Sequence, residues 1–119
     1  MPLSYLAGEQ FCYLTTTGRR TGNPHTIEIW FALDRATAYL LSGNGDKSDW
    51  VKNLMWEPAV QVRIGLLELL GRARTGLPPE EDNKARSLLL EKYAAGYKGD
   101  LTRWGRDSLA VAIDLEEPD

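Results

Sequence analysis

Leu14-Thr15-Thr16-Thr17-Gly18-Arg19-Arg20-Thr21-Gly22-Asn23-Pro24-His25-Thr26-Ile27-Glu28-Ile29-Trp30-Phe31-Ala32-Leu33 joins a β-branched run, a glycine-bounded turn and an alternating apolar run. Its opening residues close an aromatic and β-branched run that begins at Gln10, so residues 10–16 are expected to form a strand. Gly18 and Gly22 are free to take positive φ, and Pro24 follows, so residues 18–24 predict a turn. Beyond the turn the pattern alternates. His25, Ile27, Ile29, Phe31 and Leu33 fall on one face, and Thr26, Glu28, Trp30 and Ala32 on the other, which predicts a single strand over residues 25–33. Asp34-Arg35-Ala36 is a short link into a third strand over residues 37–42, completing an antiparallel meander.

The same reading extends outward. Ser48 sits where an N-cap belongs, Asp49 suits the positive end of a helix, and Pro58 ends that helix near Met55. Val60, Val62 and Ile64 alternate with Gln61 and Arg63, a strand with one wet face, and a further strand is expected over residues 67–77. Leu77-Pro78-Pro79-Glu80-Glu81 opens the longest helix, with Ala85, Leu88, Leu89 and Tyr93 on one stripe. Ser108 to Leu115 is the last strand. The expected order is β-β-β-α-β-β-α-β, with six mostly antiparallel strands and two helices. This is a mainly β (α+β) chain, and closing the sheet into a small closed or split barrel leaves no open edge.

The bulk composition bounds the function. At 119 residues the chain has room for one core, so residues 1–119 are read as a single domain. The net charge is −3, so no global field draws the chain to nucleic acid, and no basic stripe argues for it. With one cysteine, Cys12, and one histidine, His25, neither an intrachain disulfide nor a structural metal site is expected. No apolar run is long enough to cross a bilayer as a helix, and a cytoplasmic protein is expected.

Two segments carry chemistry. Gly18-Arg19-Arg20-Thr21-Gly22 presents adjacent guanidinium groups on a glycine-flanked turn, which either grips phosphate or carboxylate or is simply solvated. Ser42-Gly43-Asn44-Gly45-Asp46-Lys47-Ser48 runs into a helix start, which is either an anion site reinforced by Lys47 or a capped helix after a tight turn. The glycine spacing matches neither a P-loop nor a dinucleotide fingerprint. Trp50 and Asn53 share neighbouring faces of the short helix, where Trp50 either covers a planar ring or plugs the barrel mouth. Glu28, between apolar neighbours, is expected to pair with Arg72 or Arg74. No acid, base and nucleophile set stands out, so no catalytic residue is assigned. His25, Tyr93 and Tyr97 are weak proton-donor candidates beside solvent.

Taken together, Leu14 to Pro24, the apolar strand with Trp30, Trp50-x-x-Asn53-Leu54 and the strand after Pro58 resemble the deazaflavin-dependent nitroreductase family. That family lies in the flavin/deazaflavin split-barrel superfamily, which includes the pyridoxamine-phosphate-oxidase-like, FMN-binding proteins. The resemblance implies a split β-barrel and coenzyme F-420, an 8-hydroxy-5-deazaflavin with a phosphate and an oligoglutamate tail. It implies hydride transfer to a quinone-like, nitro or other conjugated small-molecule acceptor. Carried over residue by residue, Arg19, Arg20 and Thr21 hold the phosphate and tail. Ser42, Gly43 and Asn44 line the coenzyme, with Lys47 and Ser48 near its phosphate or tail. Trp50 and Asn53 shape the groove, and Ile29 and Trp30 border the ring. His25 stands where many relatives place another arginine. The loop before Trp50 is shorter than in the nitroreductases. FMN, or a non-catalytic carrier of a flavin, haem or lipid-like ligand, therefore stays an alternative. The resemblance also implies a homodimer.

Overall fold

The computed structural model describes residues 3–117. Strands β1 (Cys12–Thr17), β2 (Pro24–Ile29), β3 (Ala32–Asp34), β4 (Thr37–Ser42), β5 (Ala59–Ile64), β6 (Leu67–Arg74) and β7 (Leu109–Leu115) form one sheet. Helices α1 (Asp49–Trp56), α2 (Pro79–Tyr93) and α3 (Thr102–Asp107) accompany it. The spatial order is β2-β1-β5-β6-β7-β4-β3, and every neighbouring pair is antiparallel.

That order contains the reason for closure. β2 and β3 are consecutive in the chain yet lie at opposite ends of the sheet order. Only Trp30 and Phe31 join them, so the sheet must curl until its two edges meet. The result is a split barrel of seven strands rather than six. The single strand expected over residues 25–33 breaks at Trp30–Phe31. Alternation continues through the break, so sequence periodicity alone does not reveal it. The break is held from outside. The Phe31 N–H donates to the Tyr93 hydroxyl (3.0 Å), and Lys92 Nζ donates to the Phe31 carbonyl (2.9 Å). The Tyr93 hydroxyl also lies 2.7 Å from the Gln10 carbonyl and 2.9 Å from that of Phe31. Main-chain groups that leave the ladder at the split are thereby satisfied.

The barrel interior is filled by Cys12, Leu14, Phe31, Leu40, Val62, Ile64, Leu69, Val111 and Ile113, with Leu54 of α1 packed among them. A second apolar layer lies outside the barrel, where Ala85, Leu89 and Tyr93 of α2 cover Tyr39, Leu41, Ala110 and Ala112. These α2 positions recur every four residues, which puts them on one stripe. Helix α2 begins with Pro79 and carries Glu80, Glu81 and Asp82 in its first turn, as the start signals predict. It is moored by ions. Arg74 bridges Glu81 (2.7 Å) and Asp114 (2.6 Å), Tyr39 donates to Glu81 (2.8 Å), and Lys84 pairs with Asp34. The Arg74 guanidinium and the Tyr39 hydroxyl together hold the Glu81 carboxyl at about 2.

Helix α3 was not expected. Residues 102–107 are polar outside Trp104, and their helix docks through a close approach: a Cβ on Gly105 would lie 2.6 Å from Leu90. The Arg74 pairing also corrects the expected partner of Glu28. Arg74 is committed to Glu81 and Asp114, and Glu28 instead accepts a hydrogen bond from the Tyr13 hydroxyl (3.2 Å). Among the described residues no helix is long and apolar enough to cross a membrane.

Candidate functional site

The Gly18–Gly22 turn is built by its own backbone. Gly18 N–H donates to the Asn23 carbonyl (2.8 Å), Gly22 N–H donates to the Gly18 carbonyl (2.8 Å), and Gly22 takes φ +78°. Gly18 is required for a second reason. A Cβ there would lie 2.6 Å from His25 Nε2, so the imidazole lies directly on the turn.

Helix α1 fixes the arginine that the turn presents. Asn53 is 4% exposed. Its Oδ1 accepts from the Arg19 main-chain N–H (3.2 Å) and from Arg19 Nη1 (2.8 Å), while its Nδ2 donates to Thr16 Oγ1 (3.2 Å). Arg19 Nη2 also contacts Asp49 (3.1 Å), a side chain that is 87% exposed. Arg19 is therefore pre-oriented before any ligand arrives. Arg20 is exposed, and it makes no ion pair among the described residues.

These groups surround a cleft of about 560 Å³, lined by Arg19, Arg20, Thr21, His25, Trp50 and Asn53, together with Thr16, Gly18, Asn23, Thr26, Ile27 and Asp49. Two guanidinium groups face one carboxylate there, so the local balance is basic although the chain is acidic. Trp50 also packs against the barrel core, so the same ring is both wall and plug.

A second, smaller slot of about 260 Å³ is lined by Glu28, Ile29, Trp30, Leu41 and Trp104. Trp30 stacks on Tyr93 (4.2 Å, 3°), and Trp104 and Tyr97 meet it edge to face at 5.6 and 5.8 Å. Cleft and slot share strand β2: His25, Thr26 and Ile27 border the first, Glu28 and Ile29 the second. β2 is an edge strand, paired only with β1. At ~3.3 Å per residue, His25 to Trp30 spans about 16 Å of that edge.

The glycine loop does not reach the cleft. Ser42, Gly43, Asn44, Lys47 and Ser48 line neither cavity. The Ser42 hydroxyl donates to the Gly45 carbonyl (2.8 Å) and lies 2.9 Å from the Ser48 hydroxyl. Ser48 consequently makes no side-chain cap to α1. Gly43 approaches the slot indirectly, since a Cβ there would meet the Trp104 ring at 4.0 Å. The partner of the arginine turn is thus the start of α1, through Asp49, Trp50 and Asn53, rather than the loop before it.

The two tyrosine candidates separate. Tyr93 is buried, its hydroxyl is occupied by main-chain groups, and burial pushes it up to about 12, which suits a structural pin better than a proton donor. Tyr97 is 48% exposed beside Trp30. The lone cysteine is no nucleophile either, because burial pushes the Cys12 thiol up to about 12. No cluster of metal-ligating side chains occurs among the described residues. Sequence reading missed Asp49 as a cleft residue and Glu28, Leu41 and Trp104 as slot residues. A fourth tryptophan in a polar segment was the only hint of Trp104.

A seven-stranded split barrel, with a basic cleft joined by an edge strand to an aromatic slot, defines a protein of the flavin and deazaflavin split-barrel class. The sequence matches the F420H2-dependent quinone reductase family over residues 4–116, and the chain belongs to that family. It is an F-420-dependent oxidoreductase. The donor set fits the coenzyme, because paired guanidinium groups suit a phosphate and carboxylate tail.

Solved structures agree on the fold. A conserved hypothetical protein from Mycobacterium tuberculosis superposes with TM-score 0.73 at 20% identity, covering 98% of this chain and 82% of that one. A 5-nitroimidazole antibiotic resistance protein from Bacteroides thetaiotaomicron gives 0.72 at 15% identity, covering 96% of this chain and 77% of that one. An F420-H2-dependent reductase gives 0.69 at 24% identity, covering 90% and 94%. No curated protein matches the chain.

Proposed function

We propose that the chain reduces a quinone-like, nitro or other conjugated small molecule, with the coenzyme's anionic end in the basic cleft, its ring along the β2 edge and the acceptor in the aromatic slot beyond that ring. The observation that carries this reading is the shared edge strand, which joins a place for charge to a place for a flat acceptor.

Arg19, already oriented by Asn53, and Arg20, free to swing, hold phosphate and carboxylate groups. Thr21 offers its hydroxyl, and His25 closes the turn side. Trp50 shields the groove, while Ile29 and Trp30 border the ring. When bound, the reduced coenzyme supplies a hydride from C5, and a quinone that takes it together with one solvent proton leaves as the quinol, two electrons reduced. The protein's share is alignment of donor and acceptor and exclusion of water, worth ~7 kcal/mol or more of barrier when the geometry is close to reactive. No side-chain acid is needed for that share, and the slot lining supplies none besides Glu28.

The test is a titration of the purified protein with F-420 and with FMN, followed by turnover with a quinone. Micromolar F-420 binding and quinone-dependent oxidation of reduced F-420 support the reading. Preferential FMN binding overturns it in favour of a flavin enzyme. Tight binding without turnover across quinone and nitro acceptors overturns it in favour of a carrier. A homodimer is part of the proposal, and light scattering at the monomer mass contradicts that part.

A further inference from the structure

We propose that Glu28 makes the aromatic slot a charge filter, admitting cationic and neutral conjugated acceptors and disfavouring anionic ones. This rests on the reading that the slot holds the acceptor.

Four of the five lining residues are apolar or aromatic: Ile29, Trp30, Leu41 and Trp104. The fifth, Glu28, is the one charged side chain in the lining. It forms no ion pair among the described residues, and its bond is to the uncharged Tyr13 hydroxyl (3.2 Å). The nearby cation, Arg63, lies over the Tyr13 ring (4.2 Å) and donates to the Gly65 carbonyl (3.1 Å), so it attenuates the Glu28 charge without pairing with it. Its carboxylate therefore leaves an unpaired negative charge at the slot mouth. Indole rings add to the same preference, because their faces attract cations. Glu28 is exposed, and an exposed carboxylate beside a flat anion repels it by an amount of the order of a fivefold change in affinity.

The direction also suits turnover. A cationic acceptor that takes a hydride becomes neutral, so the attraction that brought it in is lost in the product. An anionic acceptor that takes a hydride gains a second negative charge beside Glu28 until a solvent proton arrives.

The experiment compares wild type, Glu28→Gln and Trp104→Ala with three acceptors: menadione, a naphthoquinone sulfonate and N-methylphenazinium. Rates are corrected for the uncatalysed reaction, and each variant is compared with wild type on the same acceptor, so reduction potentials cancel. Acceptor affinity is also read without turnover, from quenching of tryptophan fluorescence in the coenzyme-free protein. Glu28→Gln is expected to raise kcat/KM and affinity for the sulfonate by roughly fivefold and to lower both for the phenazinium by a similar factor, with menadione between. Equal effects on all three acceptors, or none, overturn the filter. Trp104→Ala separates the two failures. If it weakens every acceptor while F-420 affinity holds, the slot is the acceptor site and only the filter is at stake. If it weakens none, the slot reading fails and the filter falls with it.

Discussion

Asn53 ties three parts of the cradle together: the Thr16 hydroxyl of β1, the Arg19 main chain and the Arg19 side chain. Removing its amide strands a buried main-chain donor and releases the guanidinium. Asn53→Ala is expected to cost about 1–3 kcal/mol of stability, checked by urea unfolding, and to weaken F-420 binding as well. Unchanged unfolding would show that water replaces the amide freely. Asp49 acts in the opposite sense. Its carboxylate contacts the Arg19 edge that borders the cleft, standing where a ligand anion would. An exposed pair of this kind is weak, ~0.2–1 kcal/mol. Asp49→Asn is therefore expected to tighten F-420 by about twofold to fivefold and to steepen its loss with salt. Weaker binding in that variant would show that Asp49 serves Arg19 rather than competing for it.

Among the elements, the mooring of α2 and the pin at the split deserve separate tests. Glu81 has a folded pKa of about 2 against an ordinary 4.5, set first by the Arg74 bond and then by the Tyr39 hydroxyl. A depressed carboxyl stabilises the fold above its unfolded pKa and loses that contribution as pH falls toward the folded one. Wild type is expected to shed stability between pH 4.5 and about 2. Glu81→Gln is expected to start lower at pH 7, with Tm down by about 3–6 °C per ~1 kcal/mol lost, and to show a flatter acid limb over that window. An unchanged acid limb would place the titrating groups elsewhere. At the split, Tyr93→Phe keeps a ring under Trp30 but removes the hydroxyl that takes the Phe31 N–H. It is expected to cost about 1–3 kcal/mol, read by thermal melting, with a shift in Trp30 emission. How much of this was legible varies by element. The β1 strand, the turn at Gly18–Gly22, β4 and the start of α2 follow from local rules, because alternation, glycine and proline act within a few residues. The Trp30–Phe31 break was not legible, since it depends on a tyrosine and a lysine some sixty residues later. Helix α3 was hidden because its six residues are held by contact with α2 rather than by propensity.

For the whole molecule, the sequence brought Arg19, Arg20, Thr21, His25, Trp50 and Asn53 to one cleft, and Ile29 and Trp30 to the adjoining slot. The loop Ser42–Ser48 lines neither cavity, and glycine and lysine next to a helix start look alike in sequence whether they face a ligand or each other. Only the packed structure shows that Ser42 and Ser48 spend their hydroxyls on loop closure. It also shows that Trp104, far along the chain, completes the slot. The proposed binding mode rests on one physical relation, an anionic end seated at the arginine turn with a ring lying along β2. Binding of intact F-420 should be compared with binding of its deazaflavin fragment lacking phosphate and tail, in wild type and in Arg19→Ala/Arg20→Ala. Wild type is expected to prefer intact F-420 by roughly tenfold or more, as charge-assisted hydrogen bonds predict, and the double variant to lose that preference while still binding the fragment. A fragment bound as tightly as intact F-420 by wild type, or a preference that survives in the double variant, would contradict the account.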